Sequence, residues 1–234
     1  HLYGWLPRGC DIVRKERLER YSRHLVLDEV GLNGQLRLSN SVVTIVGAGG
    51  LGSPALLYLA AAGIGKIRVI DDDVVDESNL QRQVIHSEAE VGCSKVKSVQ
   101  RRLSALDSEI VIEPIEERVC PENAERLLSG SDVVIDGTDS FEARYSINDA
   151  CKILGIPWVF ASVLRFEGQV SVFNYVNGPN YRDLFPDSPP PELAPSCADA
   201  GVLGAITGIL GSIQAAEAIK ILLGIGKTLS GRLL

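Results

Sequence analysis

Hydrophobic and polar positions change period several times along the chain, and each change marks an element. Over residues 14–27 apolar and charged positions alternate at helical spacing, and a second short helix is expected over 32–38. Residues 42–46, Val-Val-Thr-Ile-Val, are an unbroken β-branched run, the pattern of a strand buried on both faces of a parallel sheet. A glycine-rich turn follows, then an Ala/Leu-rich helix over 53–62. The rhythm repeats: strands over 67–70, 110–115, 133–135 and 157–163, helices over 95–106, 121–128 and 141–154. Residues 169–175 follow their predecessor without a helix and are expected antiparallel to it. Five of the 11 prolines fall between Pro186 and Pro195, which reads as a crossover loop before an apolar helix over 202–223. In that helix Gln214, Glu217 and Lys220 form one polar stripe.

This alternation predicts an α/β, Rossmann-like fold, with a mainly parallel sheet, helices on both faces and antiparallel strands toward the C-terminal half. A single domain over 1–234 is expected, with N-terminal helices at 12–38. At 234 residues, 45% hydrophobic and 23% charged, the chain is globular in composition. Its net charge of −7 argues against a nucleic-acid or anionic-membrane footprint. The most apolar run, 202–213, is shorter than the roughly 18 residues a spanning helix needs. Five cysteines without a Cys-x-x-Cys pair suit free thiols in a reducing compartment, hence the cytoplasm. The chain has no methionine, so a trimmed piece is expected, with a native C-terminal extension.

The chemistry begins at Gly47-x-Gly49-x-x-Gly52, between a strand and a helix, with Asp71 ending the next strand. Such glycines permit close approach of phosphate to backbone N–H groups, and the acid is placed to accept from a ribose. That much also fits an NAD-dependent oxidoreductase. The acids from Asp71 to Asp76, with Arg82 and Lys95 beyond them, suit a triphosphate and Mg²⁺ better than a nicotinamide. A solvated charged surface is the bland alternative. Asp139, just past the fourth strand, is a candidate metal ligand, whereas Asp136 is placed to cap its own turn. His86 reads as a hydrogen-bonded structural residue, and Cys10, Cys93, Cys120 and Cys151 as packing residues.

Several blocks together carry a resemblance. They are Arg20-Tyr21-Ser22-Arg23, Gly-Ala-Gly-Gly-Leu-Gly-Ser, Ser78-Asn79-Leu80-Gln81-Arg82-Gln83, Gly92-x-x-Lys95, Gly137-Thr138-Asp139, Glu167-Gly168-Gln169 and Cys197-Ala-Asp-Ala-Gly201. The chain resembles the MoeB/ThiF-type adenylyltransferases of the ubiquitin-activating superfamily. The resemblance implies a nucleotide-binding part at 41–140 and a carrier-binding and dimer part at 141–234. It implies ATP at Gly47, Gly49, Gly50, Asp71, Asp73, Ser78, Asn79, Leu80, Gln81, Arg82, Lys95, Asp139 and Ser140, with Mg²⁺ on Asp139. Arg23 would reach the partner subunit's site in a homodimer, and Cys197 would handle the acyl group or sulfur. The implied substrate is a ubiquitin-like sulfur carrier ending in Gly-Gly, in molybdopterin, thiamine or related sulfur transfer, with a sulfurtransferase as a further partner. A non-catalytic scaffold of the same fold is the second alternative. Two departures stand out. Asn180 and Asp183 occupy the place of a Cys-x-x-Cys zinc pair, so no zinc is expected, and Ser140 replaces the frequent Asn.

Overall fold

The computed structural model describes residues 15–189 and 201–234. Val42–Val46 (β1), Lys66–Ile70 (β2), Val111–Ile115 (β3), Val133–Asp136 (β4), Trp158–Leu164 (β5) and Glu167–Phe173 (β6) form one sheet, ordered β3-β2-β1-β4-β5-β6. The first five strands are mutually parallel, and β6 returns antiparallel along β5, as the missing intervening helix predicts. The order reverses between β1 and β4, so a crevice opens beyond their carboxyl ends.

Among the described residues, nine α-helices connect and cover the strands: Lys15–Arg20 (α1), Ser22–Leu25 (α2), Gly31–Ser39 (α3), Gly52–Ala62 (α4), Lys95–Leu106 (α5), Ala124–Leu128 (α6), Phe141–Leu154 (α7), Tyr181–Leu184 (α8) and Gly204–Leu223 (α9). Alternating strand residues divide the core. Val43, Ile45, Ile67, Val69, Val133 and Ile135 pack against apolar side chains of α4, α5 and α9. Val46, Ile70, Val134, Trp158 and Phe160 turn the other way, to α6, α7 and α8. Trp158 is core, as its strand position suggests.

One helix is interrupted, and one polar stripe turns inward. The single helix over 14–27 is broken at Tyr21, whose buried ring reaches the far end of α5 and donates to Asp107 Oδ2 at 3.2 Å. The polar stripe of α9 is largely buried. Gln214 is fully buried and donates to the carbonyls of Asp136 (2.7 Å) and Val159 (3.1 Å). Glu217, also buried, accepts the Leu229 N–H at 2.7 Å and pairs with Lys220. At 20 residues with a mean hydropathy of 1.5, α9 is long and apolar enough to cross a membrane, contrary to the reading of 202–213 alone. Here it is a core helix, packed along α4 and across β5 and β6.

At α8 the residues standing where zinc thiolates would be form a reciprocal cap. Asn180 Oδ1 accepts the Arg182 N–H at 3.0 Å, and Asp183 Oδ2 accepts the Asn180 N–H at 2.8 Å. Asn148 Oδ1 takes the Tyr181 N–H at 2.8 Å, tying α8 to α7.

Candidate active site

Beyond the ends of β1 and β4 the two turns touch. Gly47 has φ +95°, and a Cβ there would lie 2.5 Å from the Gly137 carbonyl oxygen, so only glycine fits. Gly49 differs. A Cβ on it would meet Gln83 Nε2 at 3.7 Å and the Gly137 carbonyl oxygen at 4.0 Å, both ordinary contacts, so packing does not demand glycine. The missing side chain instead leaves the loop bare on its open side, and the Gly49 and Gly50 N–H groups have no acceptor among the described residues. Bare, unpaired amides before a helix start fit a phosphate oxygen.

The cleft above this loop holds about 270 Å³ and is walled by four elements' ends. Asp71 leaves β2 with its carboxylate fixed by two backbone donors, Ala48 N–H at 2.7 Å and Asp73 N–H at 2.9 Å. Lys95 opens α5, where a cation opposes the helix dipole. Its ammonium meets Asp73 Oδ2 at 2.9 Å, with the lysine side chain 7% exposed and the aspartate 58%. Arg82 lies on the wall with Nη1 on the Ser78 carbonyl at 3.2 Å. The start of α9 supports it from behind: a Cβ on Gly204 would sit 2.4 Å from the Gln81 carbonyl oxygen.

The β4–α7 turn supplies the opposite wall. Asp136 is fully buried and accepts the Thr138 N–H (2.8 Å) and hydroxyl (2.7 Å), the capping role its position suggested. Burial pushes its carboxyl up, against the pull of Arg144, whose Nε stands 3.4 Å from Oδ2. Arg144 also donates to the Thr138 carbonyl at 2.9 Å, so both residues hold the turn that presents Asp139 and Ser140 to the cleft. Asp139 is exposed and accepts no hydrogen bond from a described residue. An exposed carboxylate with no partner among the described residues would be free to hold a hard cation such as Mg²⁺. The side chains of Asp71, Asp72 and Asp73 cluster closely, but backbone N–H groups, Arg118 (3.0 Å) and Lys95 already partner them.

Thus Gly47, Gly49, Gly50, Asp71, Asp73, Arg82, Lys95, Asp139 and Ser140 come together. Ser78, Asn79, Leu80 and Gln81 do not line the cleft. They form one capped turn, in which Asp76 accepts the Ser78 N–H at 2.9 Å and Asn79 Oδ1 accepts the Asp76 N–H at 3.3 Å. Arg23 does not line the cleft; it is exposed on α2, two residues after Tyr21, whose hydroxyl bonds Asp107 at the end of α5 away from Lys95. Cys197 lies outside the described residues, as does Cys10. Cys151 is a buried packing residue, its thiol pushed well up by burial, but Cys120 lines the cleft.

Sequence reading missed Gln83, Arg118, Arg144 and Thr207 in the wall. Gln83 is 4% exposed, and its Oε1 is buried with no donor among the described residues. Its place next to Arg82 was the one available signal. His86 is hydrogen-bonded, as expected, but to the glycine loop itself. Nε2 meets the Ala48 carbonyl at 3.0 Å and Nδ1 the Ser98 hydroxyl at 2.7 Å. Burial holds the ring below its usual range against the pull of that carbonyl.

The sheet order and the cleft at its reversal define a doubly wound α/β domain. Within that class the chain belongs to the ThiF family, whose model matches residues 21–234. It is 52% identical over 234 residues to the probable adenylyltransferase/sulfurtransferase MoeZ of Mycobacterium tuberculosis, covering 98% of this chain and 59% of that protein. It is 50% identical to the SAMP-activating enzyme E1 of Haloferax volcanii (93% and 80% covered). It is 48% identical to the sulfur carrier protein adenylyltransferase of Thermus thermophilus (94% and 83%). Among solved structures it is similar to PaaA (TM-score 0.81, 25% identity, 99% of this chain and 72% of that one). It is also similar to Escherichia coli MccB with ATP (TM-score 0.73, 26% identity, 90% and 65%).

Proposed function

We propose that this chain is an ATP-dependent adenylyltransferase that activates the C-terminal glycine of a ubiquitin-like sulfur carrier. The observation that carries this reading is one cleft in which bare amides, Arg82, Lys95 and Asp139 converge. The names of the archaeal and Thermus relatives support the substrate class. In the reaction the carrier's carboxylate attacks the α-phosphorus of ATP and pyrophosphate leaves, so no side chain need be a nucleophile. Asp71, already oriented by two N–H groups, keeps a carboxylate oriented for a ribose. Gly49 and Gly50 N–H groups, Arg82 and Lys95 stabilise charge on the phosphates, in positions fixed before the ligand arrives. Asp139 would hold Mg²⁺, which when bound neutralises phosphate charge.

Arg23 does not line the cleft of its own subunit, and in a homodimer it would serve the partner's. The capped turn at Asn180 and Asp183 favours a segment held without zinc. Free thiols at Cys93, Cys120 and Cys151 are consistent with the cytoplasm. The decisive experiment is ATP–pyrophosphate exchange with Mg²⁺ and a carrier ending in Gly-Gly. Exchange is expected only with the carrier present. Carrier-independent exchange, or none with any such carrier, would overturn the assignment.

A further inference from the structure

A peptide unit is planar and trans, so its C=O and N–H point in opposite directions. The unit between Ala48 and Gly49 carries the Ala48 carbonyl on one side and the Gly49 N–H on the other. The carbonyl points into the protein, to His86 Nε2 at 3.0 Å. A carbonyl only accepts, so Nε2 is the donor whatever the state of the rest of the ring. The Gly49 N–H is therefore turned away from the buried ring, to the open side, where no described residue accepts it. Gly49 and Gly50 follow without side chains, so little steric resistance opposes a flip of this unit. Its orientation depends on what grips the carbonyl.

The grip is itself built. The His86 side chain is buried, and Nδ1 meets Ser98 Oγ at 2.7 Å on α5, one turn beyond Lys95. Ser98 in turn contacts the Glu90 carboxylate, which Arg101 Nε holds at 2.9 Å. On the other side of Ala48, its own N–H is held by Asp71 Oδ2 at 2.7 Å. Ala48 is clamped at both polar atoms by residues 23 and 38 positions away.

We propose that His86 is a positioning residue for the nucleotide: by donating to the Ala48 carbonyl it fixes the Gly49 N–H toward the phosphate seat. The proposal rests on the ATP-dependent reading above. The role concerns binding common to ground and transition states, so its loss raises KM for ATP and leaves kcat nearly unchanged. A residue that merely stabilises the fold would lower the amount of active protein and leave that KM alone.

The test uses the full chain and carrier-dependent pyrophosphate exchange as a function of ATP concentration, with thermal melting on the same samples. The wild type comes first: failure to use ATP ends the adenylation reading and this proposal with it. In His86→Ala, KM for ATP is expected to rise about tenfold, the loss of one buried hydrogen bond, with kcat within about twofold. His86→Gln can place an amide N–H near the position of Nε2 and should recover most of the affinity. His86→Asn is too short and should not. If His86→Ala does not fold, the glutamine and asparagine variants decide by the same KM. An unchanged KM in His86→Ala, or equal KM values for glutamine and asparagine, would overturn the proposal.

Discussion

The two ends of α5 carry one buried charged residue each, about 18 Å apart on a 12-residue helix, and they are treated in opposite ways. At the C-terminal end, Asp107 is closed off. Arg17 Nη1 reaches its two oxygens at 2.8 and 2.7 Å, the Tyr21 hydroxyl adds a bond at 3.2 Å and the Glu109 N–H another at 3.0 Å. At the N-terminal end, Lys95 has one carboxylate partner for three N–H donors. In the same cleft lie Asp139, Gln83 Oε1 and the loop amides, none of which has a partner among the described residues. Gln83 Oε1 is buried, and a buried polar atom without a partner costs stability unless a ligand in the cleft supplies one. The difference separates a site built for the fold from one built for a ligand.

The largest expected effect follows from the open end. Lys95→Ala and Arg82→Ala should each lower carrier-dependent exchange about 10²–10³-fold, the usual cost of one preorganised contact to developing charge. Stability should barely change in Lys95→Ala, because Asp73 is 58% exposed and water replaces its partner. A variant that lost its melting temperature in step with its activity would erase the contrast.

The closed end should respond the other way. Arg17→Ala leaves the Asp107 side chain, 2% exposed, without its guanidinium. A loss of about 1.5–3 kcal/mol is expected, since the broken bonds are charged and one partner stays buried. In a domain of this size that lowers the melting temperature by roughly 2–4 °C per kcal/mol. Exchange per folded molecule should be unchanged, because neither residue reaches the cleft. Lowered kcat in folded Arg17→Ala would show that the two ends are coupled.

Much of the open end was legible in the sequence, and little of the closed end. Gly47-x-Gly49-x-x-Gly52, Asp71, Arg82, Lys95 and Asp139 announce themselves because each sits at a strand end or helix start that periodicity alone locates. Gln83 and Arg144 did not, because nothing in the local pattern marks these polar residues as buried, and the clamp on Ala48 did not because its partners lie far along the chain. His86 meets Ala48 across 38 positions and Gln214 meets Asp136 across 78. The stripe of Gln214 and Glu217 has the spacing of a solvated face, and only tertiary packing turns it inward to the Asp136 and Val159 carbonyls and the Leu229 N–H. Tyr21 breaks a helix that its local pattern would continue, because its hydroxyl has a buried acid to reach.

The smallest effect sharpens the contrast through pH. Burial alone would push the Asp107 carboxyl up, but the Arg17 guanidinium and the Glu109 N–H outweigh it and hold it below its ordinary range. A carboxyl depressed in the folded state adds stability that is fully present above its unfolded value of about 3.9 and ebbs as pH falls through the folded one. In Arg17→Ala the upward push of burial remains and its main counterweight is gone, so that contribution is lost or reversed. The gap in stability between wild type and Arg17→Ala should therefore be widest and flat from about pH 6 to 7, and narrow as the solution is taken toward about pH 3. The other depressed carboxyls, Glu113 and Asp149 among them, are common to both proteins and cancel in the difference. Urea midpoints at matched ionic strength would measure it. A gap that stays constant or widens in acid would mean that the ion pair is not what holds the closed end shut.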